Sequence, residues 1–174
     1  MAIHRLNHAV MYVRDVAKSV AFYHDVLGFE VSMEMEGGFT AAFLNAPDST
    51  NDHDLALFQI GPAAGPSDAG RSTVGLYHLA WEVDTLGDLA TLRDRLAQAG
   101  SLVGMTDHST TKSLYGHDPD GLEFEIVWLV PADLLDDEAA AHRNELRPLD
   151  LEREIERYGA ETHSGIGISR ASAG

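Results

Sequence analysis

Cysteine is absent from the 174 residues, which excludes disulfide staples, zinc–thiolate sites, iron–sulfur clusters and a cysteine nucleophile. Positive charge is scarce: 12 Lys+Arg stand against 28 Asp+Glu, a formal charge of −16 with a sequence pI near 4.7. That balance lacks the basic footprint that phosphate backbones attract, so nucleic acid is not an expected partner. Long apolar runs are missing too, and none approaches the ~18 residues of a membrane span. Residues 1–8, MetAlaIleHisArgLeuAsnHis, lack the apolar stretch of a signal peptide. No membrane partner and a cytoplasmic location are the expectations. The acidic surplus reads as a solvated face that keeps the chain soluble. With 44% hydrophobic residues in 18.9 kDa, the chain can fill one compact core or two small modules that share one.

What is present begins with an internal repeat. LeuAsnHisAlaValMetTyrVal at 6–13 and LeuTyrHisLeuAlaTrpGluVal at 76–83 align Leu6 with Leu76, His8 with His78 and Val13 with Val83, at an offset of 70. After the first copy, Asp15 can cap a helix whose apolar Val16, Val20, Tyr23 and Leu27 fall at helical spacing and stop at Gly28. After the second, Thr85 can cap a helix with Leu89, Leu92 and Leu96 on one face, stopping at Gly100. Shorter β-like stretches follow each helix, at 29–35, 39–45 and 54–60, then at 101–106, 112–117 and 122–129. The predicted fold class is α+β: two tandem βαβββ modules forming a cupped mixed β-sheet, with a C-terminal helical extension. Module one spans 1–60, a Gly/Pro-rich linker 61–72 and module two 73–130, together one domain over 1–130. Residues 131–174 form the extension and a flexible tail: an acidic helix over 133–145, then 150–158 with Leu151, Ile155 and Tyr158 on one stripe. From Gly159 onward, Gly, Ser and Ala dominate and fraying is expected.

Strand parity selects the chemistry, because alternate side chains point to opposite faces. His8, Val10 and Tyr12 share a face against Ala9, Met11 and Val13, while His78 and Ala80 oppose Leu79, Trp81 and Val83. The bulkier apolar sets suit packing under the helices, which turns both histidines inward. AspProAspGly at 118–121 is a hairpin turn, with Pro pre-set for the second position and Gly able to take positive φ. After it, Leu122, Phe124 and Ile126 alternate with Glu123 and Glu125, so two carboxylates face away from three apolar side chains. A lone strand histidine is ordinarily a hydrogen-bonded or surface residue. Two at one position of two repeats, with a carboxylate in the expected third strand, match a facial triad instead. That arrangement holds non-haem Fe(II) and leaves coordination positions open.

On these residues the chain resembles the vicinal oxygen chelate superfamily, and within it the one-domain extradiol, catechol-2,3-type dioxygenases. The resemblance covers roughly residues 4–129 and rests on the paired LeuXxxHis strands, PheTyrHisAspValLeuGlyPheGlu at 22–30, HisAspLeuAlaLeuPhe at 53–58 and the block 107–127. It implies that His8, His78 and Glu125 are the metal ligands, with the cupped sheet wrapped around them. His108 matches the group's second-sphere acid–base histidine, and Tyr115 the tyrosine that contacts the substrate hydroxyl. His117 receives no role. Glyoxalase-I-like members take a fourth ligand from the last strand of the first module. Aligning 55–60 with 122–127 puts Phe58 opposite Glu125 and Ala56 opposite Glu123, so that ligand is missing unless a one-residue slip brings Gln59 or Asp54 inward.

Three ligands leave room on one ion for a bidentate catecholate and O2. The resemblance thus implies a non-haem Fe(II)-dependent extradiol dioxygenase, Mn(II) being the other candidate ion, with a small aromatic diol and O2 as partners. A glyoxalase- or epimerase-like metalloenzyme is the alternative, and a metal-free small-molecule (drug) binding protein of the same fold is a third reading. The exposed edges of paired modules suit a homodimer.

Overall fold

The structure, a computed structural model, describes residues 2–142 and 145–165. It is α+β and divides into two compact units, Met1–Ser67 with Asp118–Gly121, and Asp68–His117 with Leu122–Gly174.

The first unit holds β1 (Ala9–Val13), α1 (Val16–Asp25), β2 (Glu30–Met35), β3 (Ala41–Asn45) and β4 (Leu55–Gln59). Its sheet runs β1-β4-β3-β2, with β1 and β4 parallel and the other pairs antiparallel. Helix α1 starts where an acidic cap is available: the Asp15 carboxylate accepts the Lys18 N–H at 3.1 Å, satisfying an amide without an intrahelical partner. The buried stripe of α1 is Val16, Ser19, Phe22 and Tyr23. The predicted Val20 and Leu27 are only half-buried, because the two large rings claim the inward face. In β1 the predicted parity holds, Met11 and Val13 being buried and Val10 and Tyr12 exposed.

The turn Asp118–Gly121 is anchored in this unit. Arg14 binds Asp120 through its backbone N–H at 2.9 Å and through Nη1 at 2.5 Å. Gly121 has φ 82°, as the turn requires, and its N–H reaches the Asp118 carbonyl at 3.0 Å. Tyr23 and Asp118 are both buried, and burial followed by the Asp118 carboxylate raises the tyrosine hydroxyl's pKa well above its ordinary value.

The second unit repeats the connectivity: β5 (His78–Glu82), α2 (Leu86–Gln98), β6 (Leu102–Asp107), β7 (Thr111–His117) and β8 (Glu123–Leu129). The two-residue strand β9 (Arg147–Pro148) adds to β6, for an order β5-β8-β7-β6-β9 with β5 and β8 parallel. Thr85 and Asp88 form a reciprocal capping box, and α2 buries Leu86, Leu89 and Leu96 while Leu92 stays half-buried. On β8, Phe124, Ile126 and Trp128 are buried and Glu123 and Glu125 lie on the opposite face, as alternation requires.

Beyond β8 the structure departs from the sequence reading. The single helix expected over 133–145 is a 3-10 turn, Ala132–Leu134, and a short helix α3 (Asp137–Ala141). They are separate because Leu135 is extended and the Asp136 carboxylate caps a new start by accepting the Ala139 N–H at 2.8 Å. Residues 143 and 144 of that expectation lie outside the described residues. Helix α4 (Leu151–Tyr158) is capped by Asp150 and buries Leu151 and Glu154, with Ile155 and Tyr158 half-buried. The buried glutamate is explained by its partner, Lys112.

The segment from Gly159, expected to fray, is hydrogen-bonded through Gly165. The amides of Leu86 and Gly87, which no helical carbonyl can serve, donate to the carbonyls of Thr162 and Ala160 at 3.3 and 2.8 Å. Trp128 Nε1 donates to the Thr162 carbonyl at 3.0 Å, and the Gly165 N–H to Leu129 at 2.9 Å. Residues 166–174 of the predicted tail lie outside the described residues. Among the described residues no helix is long and apolar enough to cross a membrane.

Candidate functional site

Strand β8 lies between β5 and β7, and its register assembles the polar face of the second unit. Glu125 is opposite Ala80 on one side and Tyr115 on the other; Glu123 is opposite His78 and His117. Cross-strand partners share a face, so one side of this sheet gathers His78, Tyr115, His117, Glu123 and Glu125. Phe124 and Ile126, turned the other way and buried, fix β8 in place.

The side chains on that face form a continuous series of contacts. His78 Nε2 is 3.1 Å from Glu125 Oε2. Glu125 Oε1 accepts from the Tyr115 hydroxyl at 3.3 Å, and His108 Nε2 stands 3.0 Å from the same hydroxyl. His108 is presented by the turn between β6 and β7, where its N–H donates to the Thr111 carbonyl at 3.0 Å. Burial, then the charge and hydrogen bond of Glu125, push the Tyr115 pKa up to about 12. The phenol therefore stays protonated at neutral pH and acts as a donor. His117, to which the sequence assigned nothing, has Nε2 3.8 Å from Glu123 Oε2. Its signal was the alternation of β7, which puts positions 115 and 117 on one face. Glu123 Oε1 is 3.7 Å from His78 Nδ1, and neither buried atom has a hydrogen-bond partner among the described residues.

His8 belongs to the first unit, immediately before β1. It is exposed, its Nδ1 lies 2.7 Å from Asn7 Oδ1, and its ring is 4.4 Å from that of His53. Comparing the two parallel strand pairs corrects the expected alignment. Val10 pairs with Ala56 in the first unit and Ala80 with Glu125 in the second, so Ala56, not Phe58, is the counterpart of Glu125. The shift is two residues and keeps the face, so an apolar residue still occupies the fourth-ligand position. Neither polar neighbour replaces it. Gln59 Oε1 accepts the Val16 N–H at 3.0 Å, and Asp54 is bound by the Ala46 N–H, Ser49 and Asn51. Burial opposes ionisation of Asp54, but those hydrogen bonds outweigh it and hold its pKa below the usual carboxylate range.

Within neither unit do the described residues bring three His, Asp or Glu side chains together as a set able to hold a metal ion. The second unit supplies a pair. Donors on adjacent corners of an octahedral ion with bonds of about 2.1 Å lie about 3 Å apart, which the 3.1 Å between His78 Nε2 and Glu125 Oε2 satisfies. One imidazole nitrogen and one carboxylate oxygen are also the donor types of a 2-His-1-carboxylate site. The pair fits such an ion.

Residues 5–126 match the Glyoxalase/Bleomycin resistance protein/Dioxygenase superfamily. The chain belongs to this superfamily. Biphenyl-2,3-diol 1,2-dioxygenase 3 of Rhodococcus globerulus is 35% identical over 126 residues, covering 70% of this chain and 62% of that protein. Catechol-2,3-dioxygenase of Bacillus subtilis (strain 168) is 30% identical over 121 residues, covering 70% of this chain and 40% of that protein. The match thus spans less than two-thirds of either dioxygenase. Among solved structures, the glyoxylase/bleomycin resistance protein/dioxygenase domain from Frankia sp. EAN1pec superposes with a TM-score of 0.62 at 22% identity, over 74% of this chain and all of that one. That likeness establishes the glyoxalase fold. The superfamily is shared by extradiol dioxygenases, glyoxalase-type lyases, epimerases and fosfomycin resistance proteins; its members are mostly enzymes and bind divalent metals.

Proposed function

We propose that this superfamily member is a non-haem Fe(II)-dependent extradiol dioxygenase that opens the ring of a catechol-type substrate with O2. The observation that carries the reading is the contact series His108–Tyr115–Glu125–His78, which joins an acid–base histidine and a phenol donor to two donors suited to iron. Iron, with His8, His78 and Glu125 as ligands, would supply Lewis acidity toward the diol oxygens and electron transfer to O2; Mn(II) suits the same donors. The protein's own part is to orient the diol and manage its protons. Tyr115, protonated at neutral pH, would turn its single O–H from Glu125 Oε1 to a substrate oxygen. His108, 3.0 Å from that hydroxyl, accepts a proton from the diol and returns it as the ring opens. Ala56, at the counterpart of Glu125, has no donor atom, and this supports oxygenation over lyase or epimerase chemistry.

The test is anaerobic loading with Fe(II), then admission of O2 in the presence of a panel of substituted catechols. O2 uptake matched by a coloured ring-opened product is expected. Turnover of a glutathione hemithioacetal with no ring-opened product from any catechol would overturn the reading in favour of the lyase class. Binding without turnover of either would leave a small-molecule binding protein.

A further inference from the structure

The back face of the second sheet carries a buried charge cluster that the proposed chemistry does not use. Lys112 is 1% exposed, with Nζ 2.6 Å from Asp107 Oδ1 and 2.9 Å from Glu154 Oε2, the latter an ion pair without hydrogen-bond alignment. Arg147 Nη2 lies 3.4 Å from Asp107 Oδ2, and the Tyr158 ring is 5.9 Å from the ammonium. A well-packed apolar set would hold these elements together at least as well as buried ions do. What ions add is a fixed geometry.

The geometry being fixed is that of the turn bearing His108. Asp107 Oδ1, which takes the Lys112 ammonium, also accepts the Ser109 N–H at 2.7 Å. Ser109 has φ 71°, the left-handed region that a serine adopts only when its surroundings enforce it. Its buried Oγ donates to the Ala139 carbonyl of α3 at 2.7 Å. Thus β9 and α4 reach the turn through Asp107 and Lys112, and α3 reaches it through Ser109. Lys112 and Tyr115 lie three positions apart on β7 and so point to opposite faces. A constraint on the back of the strand therefore sets the front, where His108 meets Tyr115 at 3.0 Å.

We infer that α3, β9 and α4 form a clamp that presents His108 to Tyr115, with Glu154 and Ser109 as its positioning residues. Its catalytic consequence rests on the reading of His108 as the acid–base group; its structural content does not. Without Glu154, the Lys112 charge falls on Asp107 alone and competes with the Ser109 N–H. The turn then relaxes from positive φ and carries the imidazole away from the phenol.

The test uses the full chain, metal-free and with 15N-labelled histidine. Long-range 1H–15N spectra read the His108 ring, assigned with His108→Gln, and Tyr115→Phe supplies the signature of a lost His108–Tyr115 bond. In Glu154→Gln and Ser109→Ala the His108 signal is expected to move at least halfway toward that signature, with a cooperative melt retained. Should Glu154→Gln fail to fold, Ser109→Ala decides, since it removes one hydroxyl and keeps the charges. With Fe(II) bound, kcat for ring opening should fall roughly ten- to hundredfold while KM and iron content stay constant. A His108 signal unmoved in folded variants overturns the clamp, whatever the enzyme does. Moved signals in a protein that opens no catechol ring would sustain the clamp and remove the dioxygenase.

Discussion

Tyr115 donates its hydroxyl to Glu125 Oε1 at 3.3 Å, leaving Oε2 of the same carboxylate directed at His78. One carboxylate thereby serves two neighbours, so loss of the phenol and loss of the carboxylate have different consequences.

Tyr115→Phe should retain iron, because the phenol is not among the proposed ligands, yet slow ring opening by roughly 10²–10⁴, the range for a lost acid–base or hydrogen-bonding group. His108→Phe should behave alike. Metal analysis after desalting and steady-state O2 uptake check this; full activity in either variant removes that residue from the chemistry.

His8→Ala, His78→Ala and Glu125→Ala should each lose iron, whereas Glu123→Gln should retain it. Iron content after anaerobic reconstitution reads the outcome directly. Loss of iron from Glu123→Gln with retention in Glu125→Ala would exchange the two glutamates' roles.

Asp107 makes stability pH-dependent. Burial disfavours its charge, but hydrogen bonding and attraction from Lys112, with help from the Ser109 amide and Arg147, hold its pKa below the ordinary carboxylate value. The unfolded state therefore binds the proton more tightly than the folded state. The contribution is complete above about pH 4, the unfolded Asp value, and disappears as pH falls through the lower folded value. Urea midpoints measured from pH 6 to 2 should fall more steeply in the parent than in Asp107→Asn. Parallel curves would show that the carboxylate contributes no such linkage.

Gly116 is opposite Phe124 across β7 and β8, and a Cβ there would meet Phe124 Cζ at 2.5 Å. Gly116→Ala must displace a buried ring and should cost about 1–3 kcal/mol by overpacking. Chemical denaturation measures it. Because the ring backs the strand that carries Glu123 and Glu125, iron affinity should fall in the same variant.

The repeat, the helix caps at Asp15 and Thr85, the hairpin turn and the alternation of β8 were all legible in the chain, because each depends on neighbours within a few residues. Alternation also assigned Glu123 and Glu125 to one face. It could not say which residue of β4 corresponds to Glu125. A shift of two preserves every face, so Ala56 and Phe58 are equivalent by pattern, and only the hydrogen-bond ladder distinguishes them.

From its sequence alone, this protein has its donor types and two-module plan, which composition and local periodicity carry, and its superfamily, which its motifs resemble and the match over residues 5–126 shows. Tertiary structure decided the rest. The sequence assigns Glu154 no role, and only the fold buries it, where Lys112 from a distant strand meets it. The sequence assigns Ser109 no role, and only the fold shows its left-handed backbone, held by Asp107 and Ala139. A buried charge or a strained turn is stable only in company, and its partners are chosen by chain segments far apart in order that folding makes adjacent.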